Sequence, residues 1–223
     1  MPTVTPLRPK SASGVWPQRF PPLRRCGRRF RGFGLHHPVP EQLAALTALG
    51  AVGGRDAAFA AARIIVDGVV QGPGLASAVG AAAALRVVLP VDTMLVLLRH
   101  AEPAIRADAC RCAQPQPRVI ALLVDLLDDL NGAVASAAAC ALGHMGRAEA
   151  RPQLLRLLRE NPTEALIAAS VGIADPDGIV QLRRIARTRP DLTEPAIAAL
   201  RDIDDPRTAA VIAAIPRFRP QSH

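Results

Sequence analysis

The chain of 223 residues has no tyrosine, and its aromatic content is 3%. Sheet proteins draw heavily on Val, Ile, Thr, Tyr and Phe. A chain dominated by Ala and Leu with so few rings therefore reads as helical. Lysine is also nearly missing. Lys10 is the one example, and Arg takes its place everywhere else, which reads as codon bias of a GC-rich, bacterial genome. No run of 18 or more apolar residues occurs, so no transmembrane segment is expected. The four cysteines, at 26, 110, 112 and 140, lack the spacing of a disulfide framework. A chain this long can bury a core without staples, so reduced thiols and a cytoplasmic location are expected. There is no nucleophile elbow, no glycine loop ending in Lys-Ser or Lys-Thr, and no His-Glu pair. Catalysis finds no support in these motifs, and no cofactor is expected.

Acidic residues are missing from one region only. Residues 1–40 hold eight basic residues, eight prolines and no acid, whereas the other 183 residues hold 19 basic and 19 acidic. The formal net charge of +8 thus belongs to the N-terminal segment. Pro, Arg, Gly and Ser at this density predict a disordered tail over 1–39. Arg24, Arg25, Arg28, Arg29 and Arg31 cluster within it, suited to nucleic-acid phosphates or an anionic membrane surface. Arg28-Arg29-Phe30 resembles part of a twin-arginine export signal. The next apolar stretch, Leu43 to Val52, is too distant and opens the helical region instead. The prolines likewise spoil the amphipathic helix of a transit peptide. The plain expectation is a functionless tail, or a translation start further along, at Val39.

From Pro40 onward the chain repeats. Paired apolar residues recur at Ile64-Ile65, Leu97-Leu98, Leu126-Leu127 and Leu157-Leu158, and Ile185-Ala186 takes the same place. Steps of about 30 residues signal stacked supersecondary units. The pattern predicts helix pairs 40–50 with 54–67, 73–87 with 90–100, and 102–113 with 116–129. Three more follow: 132–144 with 147–160, 163–173 with 176–188, and 192–202 with 205–215. Gly53-Gly54, Gly72-Pro73-Gly74, Asn131-Gly132, Asn161-Pro162 and Pro190-Asp191 punctuate them. Asp175-Pro176 and Asp205-Pro206 place an N-cap acid before a helix-starting proline.

Val134 to Gly143, read as Val-Ala-Ser-Ala-Ala-Ala-Cys-Ala-Leu-Gly, resembles the first helix of a HEAT-like repeat, and Arg147 to Leu158 resembles its second. Asp205-Pro206-Arg207-Thr208-Ala209 and Glu102-Pro103-Ala104-Ile105-Arg106 resemble the turns of such repeats. The chain is similar, over 40–215, to the short HEAT-like repeats named after phycobilisome lyases. The resemblance is strongest in the last four units. It implies an all-α, right-handed α-solenoid, a superhelix of about six short HEAT-like hairpins, between the tail and a C-terminal segment 216–223. A solenoid presents a long surface, and a surface is usually for binding. The expected function is a scaffold or adaptor for a protein partner. Lyase-like or auxiliary-subunit activity on a cofactor-bearing protein is the alternative that the resemblance leaves open. Association of the tail with nucleic acid or an anionic surface is another. HEAT-like deoxyhypusine hydroxylases hold di-iron through His-Glu pairs. His100-Ala101-Glu102 is not such a pair, so the resemblance implies no oxygenase.

Aligned on the apolar pairs, Asp125, Arg156 and Arg184 fall in one column, and Arg99, Asp128, Arg159 and Arg187 in the next. One reading is a ladder of ion pairs between repeats through Arg99, Asp125 and Asp128. The other is a ridge of Arg156, Arg159, Arg183, Arg184 and Arg187 that captures an acidic protein surface, since guanidinium forks pair bidentately with carboxylates. A nucleic-acid groove in the body is disfavoured, because single strands need stacking rings and residues 40–215 offer Phe59 alone. Cys110, Cys112, Cys140 and His144 are weak zinc candidates. Cys140 and His144 share a helical face at i and i+4. Cys110 and Cys112, at i and i+2, point apart and fall where the repeat buries alanine.

Overall fold

The computed structural model describes residues 39–173 and 175–215, with side chains from Glu41 onward except at Gln42. The Arg24 to Arg31 cluster, the tail expected to be disordered and the C-terminal segment 216–223 lie outside the described residues. Among the described residues there are twelve α-helices and no strand. They are α1 (Val39–Val52), α2 (Gly54–Val66), α3 (Pro73–Ala84), α4 (Val91–Leu98), α5 (Pro103–Cys112), α6 (Pro117–Asp125), α7 (Gly132–His144), α8 (Arg151–Glu160), α9 (Glu164–Val171), α10 (Pro176–Thr188), α11 (Thr193–Asp202) and α12 (Arg207–Ala213). Short 3-10 turns precede α8 and α11, and another continues α6 over Leu126–Asp128.

The helix starts show why the chain breaks where it does. Asp175 accepts a hydrogen bond from the Gly178 amide at 2.5 Å, with Pro176 in the first turn. That satisfies one of the donors that a helix start leaves unpaired. Asn131 caps α7 through the amides of Ala133 and Val134, and Thr163 caps α9 through Leu166. Glu102 precedes Pro103 but makes no cap bond, because its longer side chain fits the cap geometry poorly. Asp205 does not cap α12 as its spacing suggests. Pro206 stands at the cap position, and the Asp205 carboxylate instead accepts from the Arg207 amide two residues on, at 2.8 Å.

Two layers result. The odd-numbered helices pack successively on one another, α1 on α3, α3 on α5, and so on to α11. Each even-numbered helix up to α10 packs on the odd helix that follows it. Every hairpin thus completes its core on its neighbours, the arrangement of an α-solenoid. The odd layer is rich in small residues: Ala78, Ala82, Ala109, Ala138, Ala139, Ala169 and Ala196 have no exposed surface, beside the larger Leu46, Ile105, Leu142, Ile167 and Leu200. The even layer contributes long apolar side chains, with Leu98, Leu123, Leu154, Leu158, Leu182 and Ile185 all fully buried. Gly143 and Gly172, 29 residues apart, mark the tightest approach. A Cβ on Gly143 would lie 2.6 Å from the Ala169 carbonyl oxygen, and one on Gly172 would strike the Gly143 carbonyl.

The pair Leu126-Leu127 departs from the others. It sits in the 3-10 turn that ends α6 and is half-buried, and Val119 and Leu123 fill the core of that helix instead. A 3-10 turn advances by 3.0 rather than 3.6 residues per turn, so the register expected beyond Asp125 is lost there.

Candidate functional site

The outer face of α8 and α10 carries all five arginines of the expected ridge, and all five are exposed. The register places them there: Leu154 and Leu158 on α8, and Ile179, Leu182, Ile185 and Ala186 on α10, face the core, so the intervening positions face solvent. Arg156 is held on its own helix by Gln153 at 2.9 Å and, more loosely, by Glu160 at 3.8 Å. Arg184 donates to the Arg159 carbonyl oxygen at 3.1 Å, tying α10 to the C-terminal end of α8. The side chains of Arg159, Arg183 and Arg187 have no hydrogen-bond or ion-pair partner among the described residues. Arg183, Arg184 and Arg187 surround a shallow depression of about 410 Å³ with Val180 and Thr188. Val180 is 59% exposed, which adds an apolar surface beside the three arginines.

The ion pairs between hairpins do not run through Arg99, Asp125 and Asp128. None of the three forms one among the described residues. The 3-10 turn after Asp125 removes Asp128 from the α-helical column, and Arg99 stands at the end of α4. Other residues make the ion pairs, within hairpins and between them. Within one hairpin, Arg106 on α5 forms a two-pronged pair with Asp129, just after α6, both contacts at 2.9 Å, with 16% and 8% of the side chains exposed. Its third nitrogen donates to the carbonyls of His100 and Ala101 at 2.8 and 2.9 Å. The Arg106 guanidinium holds the Asp129 carboxyl below the usual carboxylate range, helped by the Asn131 amide. Arg151 reaches Asp175 at 2.9 Å, so Asp175 caps one hairpin and pairs with the previous one. A looser, exposed contact joins Arg118 to Asp92 at 3.5 Å. Sequence alignment on the apolar pairs missed these links. The signal available for the first was Glu102-Pro103-Ala104-Ile105-Arg106, an arginine just inside a helix start.

On the odd-helix side a groove of about 790 Å³ holds Cys110, Cys112, Cys140 and His144 in its lining. The four sites come together in space, yet no group of three or more His, Cys, Asp or Glu side chains among the described residues is placed to hold a metal. Cys110 and Cys112 are 1% and 2% exposed and sit on α5 among buried alanines, as small apolar residues do. Burial pushes both thiols up to about 12 and Cys140 to about 11, so all three stay protonated at neutral pH. Burial, and then the charge of Arg86, lower the His144 imidazole below its ordinary value. These are neutral, weakly nucleophilic groups, unlike the thiolates that bind metal or attack substrates.

Comparison with known families agrees with the packing. Residues 91–173, which span α4 to α9, match the family of HEAT repeats. The match supports a HEAT-like repeat protein, and the twelve-helix, two-layer arrangement fits an α-solenoid. Among curated proteins, none matches the chain. HEAT repeats commonly mediate protein–protein interaction, which is compatible with a scaffold. No described helix is long and apolar enough to cross a membrane.

Proposed function

We propose that this protein is a non-catalytic scaffold or adaptor whose even-helix face binds an acidic surface on a protein partner. In this reading, about six short hairpins of the phycobilisome-lyase type stack with right-handed twist over 40–215. The ridge of Arg156, Arg159, Arg183, Arg184 and Arg187 supplies charge, and the cytoplasm is its setting. The observation that supports the reading most is that Arg159, Arg183 and Arg187 are unpaired among the described residues, the last two beside exposed Val180. Structural arginines spend their donors within the fold, as Arg106 does. These three present theirs to solvent on adjacent, rigid helices, so little ordering cost is left for binding. Complementary charge also speeds encounter with an acidic partner.

The test is affinity capture from native lysate with the full chain, compared with Arg183→Glu/Arg187→Glu. Neither residue has a side-chain partner among the described residues, so the variant is expected to unfold at the wild-type midpoint and to lose the captured protein. Capture that survives the double reversal, or no specific capture by wild type, removes the ridge from the function.

A further inference from the structure

The groove on the odd-helix side shares no lining residue with the arginine ridge. It follows the outer stripe of α7 from Ala133 through Ser136 and Cys140 to His144 and Met145, about 18 Å at 1.5 Å per residue. Thr163 and Ala165, at the start of α9, border one end. Arg86 and Arg111, at the ends of α3 and α5, border the other. The floor is made of small side chains, Ala137 and Ala141 among them, which leave a channel that is long and shallow. A compact metabolite would leave most of it empty, whereas five or six residues of extended chain span about 18 Å at roughly 3.3 Å each.

Charge selects the occupant. The described residues that line the groove include Arg86 and Arg111 and no carboxylate. Arg111 is exposed and pairs with Asp108 outside the lining. Arg86 is exposed and has no side-chain partner among the described residues. Its backbone supplies a separate observation. Three helices end in the same hydrogen-bonded turn, with the amide of the terminal residue bonded to a carbonyl three back and the next amide to one five back. Gly68 and Gly146 occupy the left-handed position in two of them, at φ 64° and 67°. In the third, Arg86 is held at φ 51° and is the one non-glycine residue with positive φ among those described. Its amide bonds Ala83 at 3.1 Å, and that of Val87 bonds Ala82 at 2.9 Å. A Cβ in this region is penalised. Strain of this kind persists where a side chain is required for something other than folding, and this side chain borders the groove.

We propose that the α7 groove binds an extended acidic peptide segment of a partner protein, with Arg86 and Arg111 pairing its carboxylates and the alanine floor seating its backbone. The full chain is panned against a displayed library of random nine-residue peptides at physiological salt, and enriched peptides are titrated by fluorescence anisotropy. The expected result is enrichment of Asp- and Glu-containing peptides whose affinity drops about tenfold, one lost charged contact, in Arg86→Gly and in Arg111→Ala. Arg183→Glu/Arg187→Glu leaves that affinity unchanged. Because Arg86→Gly relieves the backbone, its Tm is expected to rise by ~2–4 °C, which separates lost binding from lost folding. The proposal is overturned by enrichment without acidic residues or by no enrichment at all. It is equally overturned by peptides that bind Arg86→Gly and Arg111→Ala as they bind wild type, the result a basic N-terminal segment would give. Loss of affinity in Arg183→Glu/Arg187→Glu alone transfers the binding to the ridge and also overturns it.

Discussion

The two helix layers solve the same stacking problem with different side chains. The odd layer brings backbones together over alanine and glycine, to the point where Gly143 and Gly172 leave no room for a Cβ. The even layer fills its core with leucine and isoleucine. Close backbones fix geometry, since any added atom meets a main chain that cannot yield. On the outer surface of the even layer, Arg159, Arg183 and Arg187 stand without an acidic partner among the described residues. The layer that defines spacing is therefore not the layer that carries the arginine ridge. The groove on the odd layer owes its shape to the same shortage of side-chain volume.

This contrast can be broken from either side. The largest effect is expected in the even layer. Leu158→Ala removes a fully buried side chain from a wall that cannot collapse onto it, and should cost ~2–5 kcal/mol in urea denaturation. A loss below ~1 kcal/mol would mean that the even helices close up as readily as the odd ones. Next comes the tie within the α5–α6 hairpin. Arg106→Ala strands the Asp129 carboxylate and should cost about 3 kcal/mol, the low end for a buried pair. The same pair sets a pH dependence. The native pKa of Asp129 lies below the unfolded one. Its contribution is therefore complete above about pH 4, the ordinary carboxylate range, and vanishes as the pH falls through the lowered native value. Asp129→Asn should be less stable than wild type at pH 7, and the difference should shrink under acid. Urea midpoints at pH 7 and pH 3 check both statements.

Gly143→Ala sharpens the picture of the odd layer. In an exposed helix the exchange would gain ~1 kcal/mol. Here the new methyl faces the Ala169 carbonyl, and a net loss of ~1–3 kcal/mol is expected from overpacking. A neutral or stabilising result would show that the layers can slide apart. The smallest effect is on rate rather than stability. With their thiols raised to about 12 by burial, Cys110 and Cys112 should resist iodoacetamide in the native state at pH 8. Cys140, less buried, should be modified ahead of them. Peptide mapping after timed alkylation gives the order, and equal rates at all three would show that the α5–α7 packing opens.

The chain sequence was most legible where local chemistry acts alone. Asp175-Pro176 announced both a cap and a helix start, and the cap bond to Gly178 is there. The 30-residue recurrence and the shortage of aromatics pointed to stacked helix pairs, and the helix ends fall within a few residues of that reading. The exposed faces of α8 and α10 also followed from the spacing of their apolar residues. Less was visible where the signal depends on register. Leu126-Leu127 matched the pattern in type yet lies in a 3-10 turn, and the expected ladder through Asp125 and Asp128 failed with it. The residues Leu-Leu-Asp carry no local signal that separates an α from a 3-10 turn, and the turn leads directly into Asp129, which pairs with Arg106, 23 residues away.

By itself, then, the sequence determined the helical class, the period and the solvent-facing arginines, because periodicity and capping act within a few residues of one another. Tertiary structure alone decided three things. It chose which charges meet across hairpins, and how closely Gly143 approaches α9. It also set Arg86, the thiols and His144 around one groove. Each joins residues that are far apart along the chain, and side chains so separated are brought together only when the helices stack.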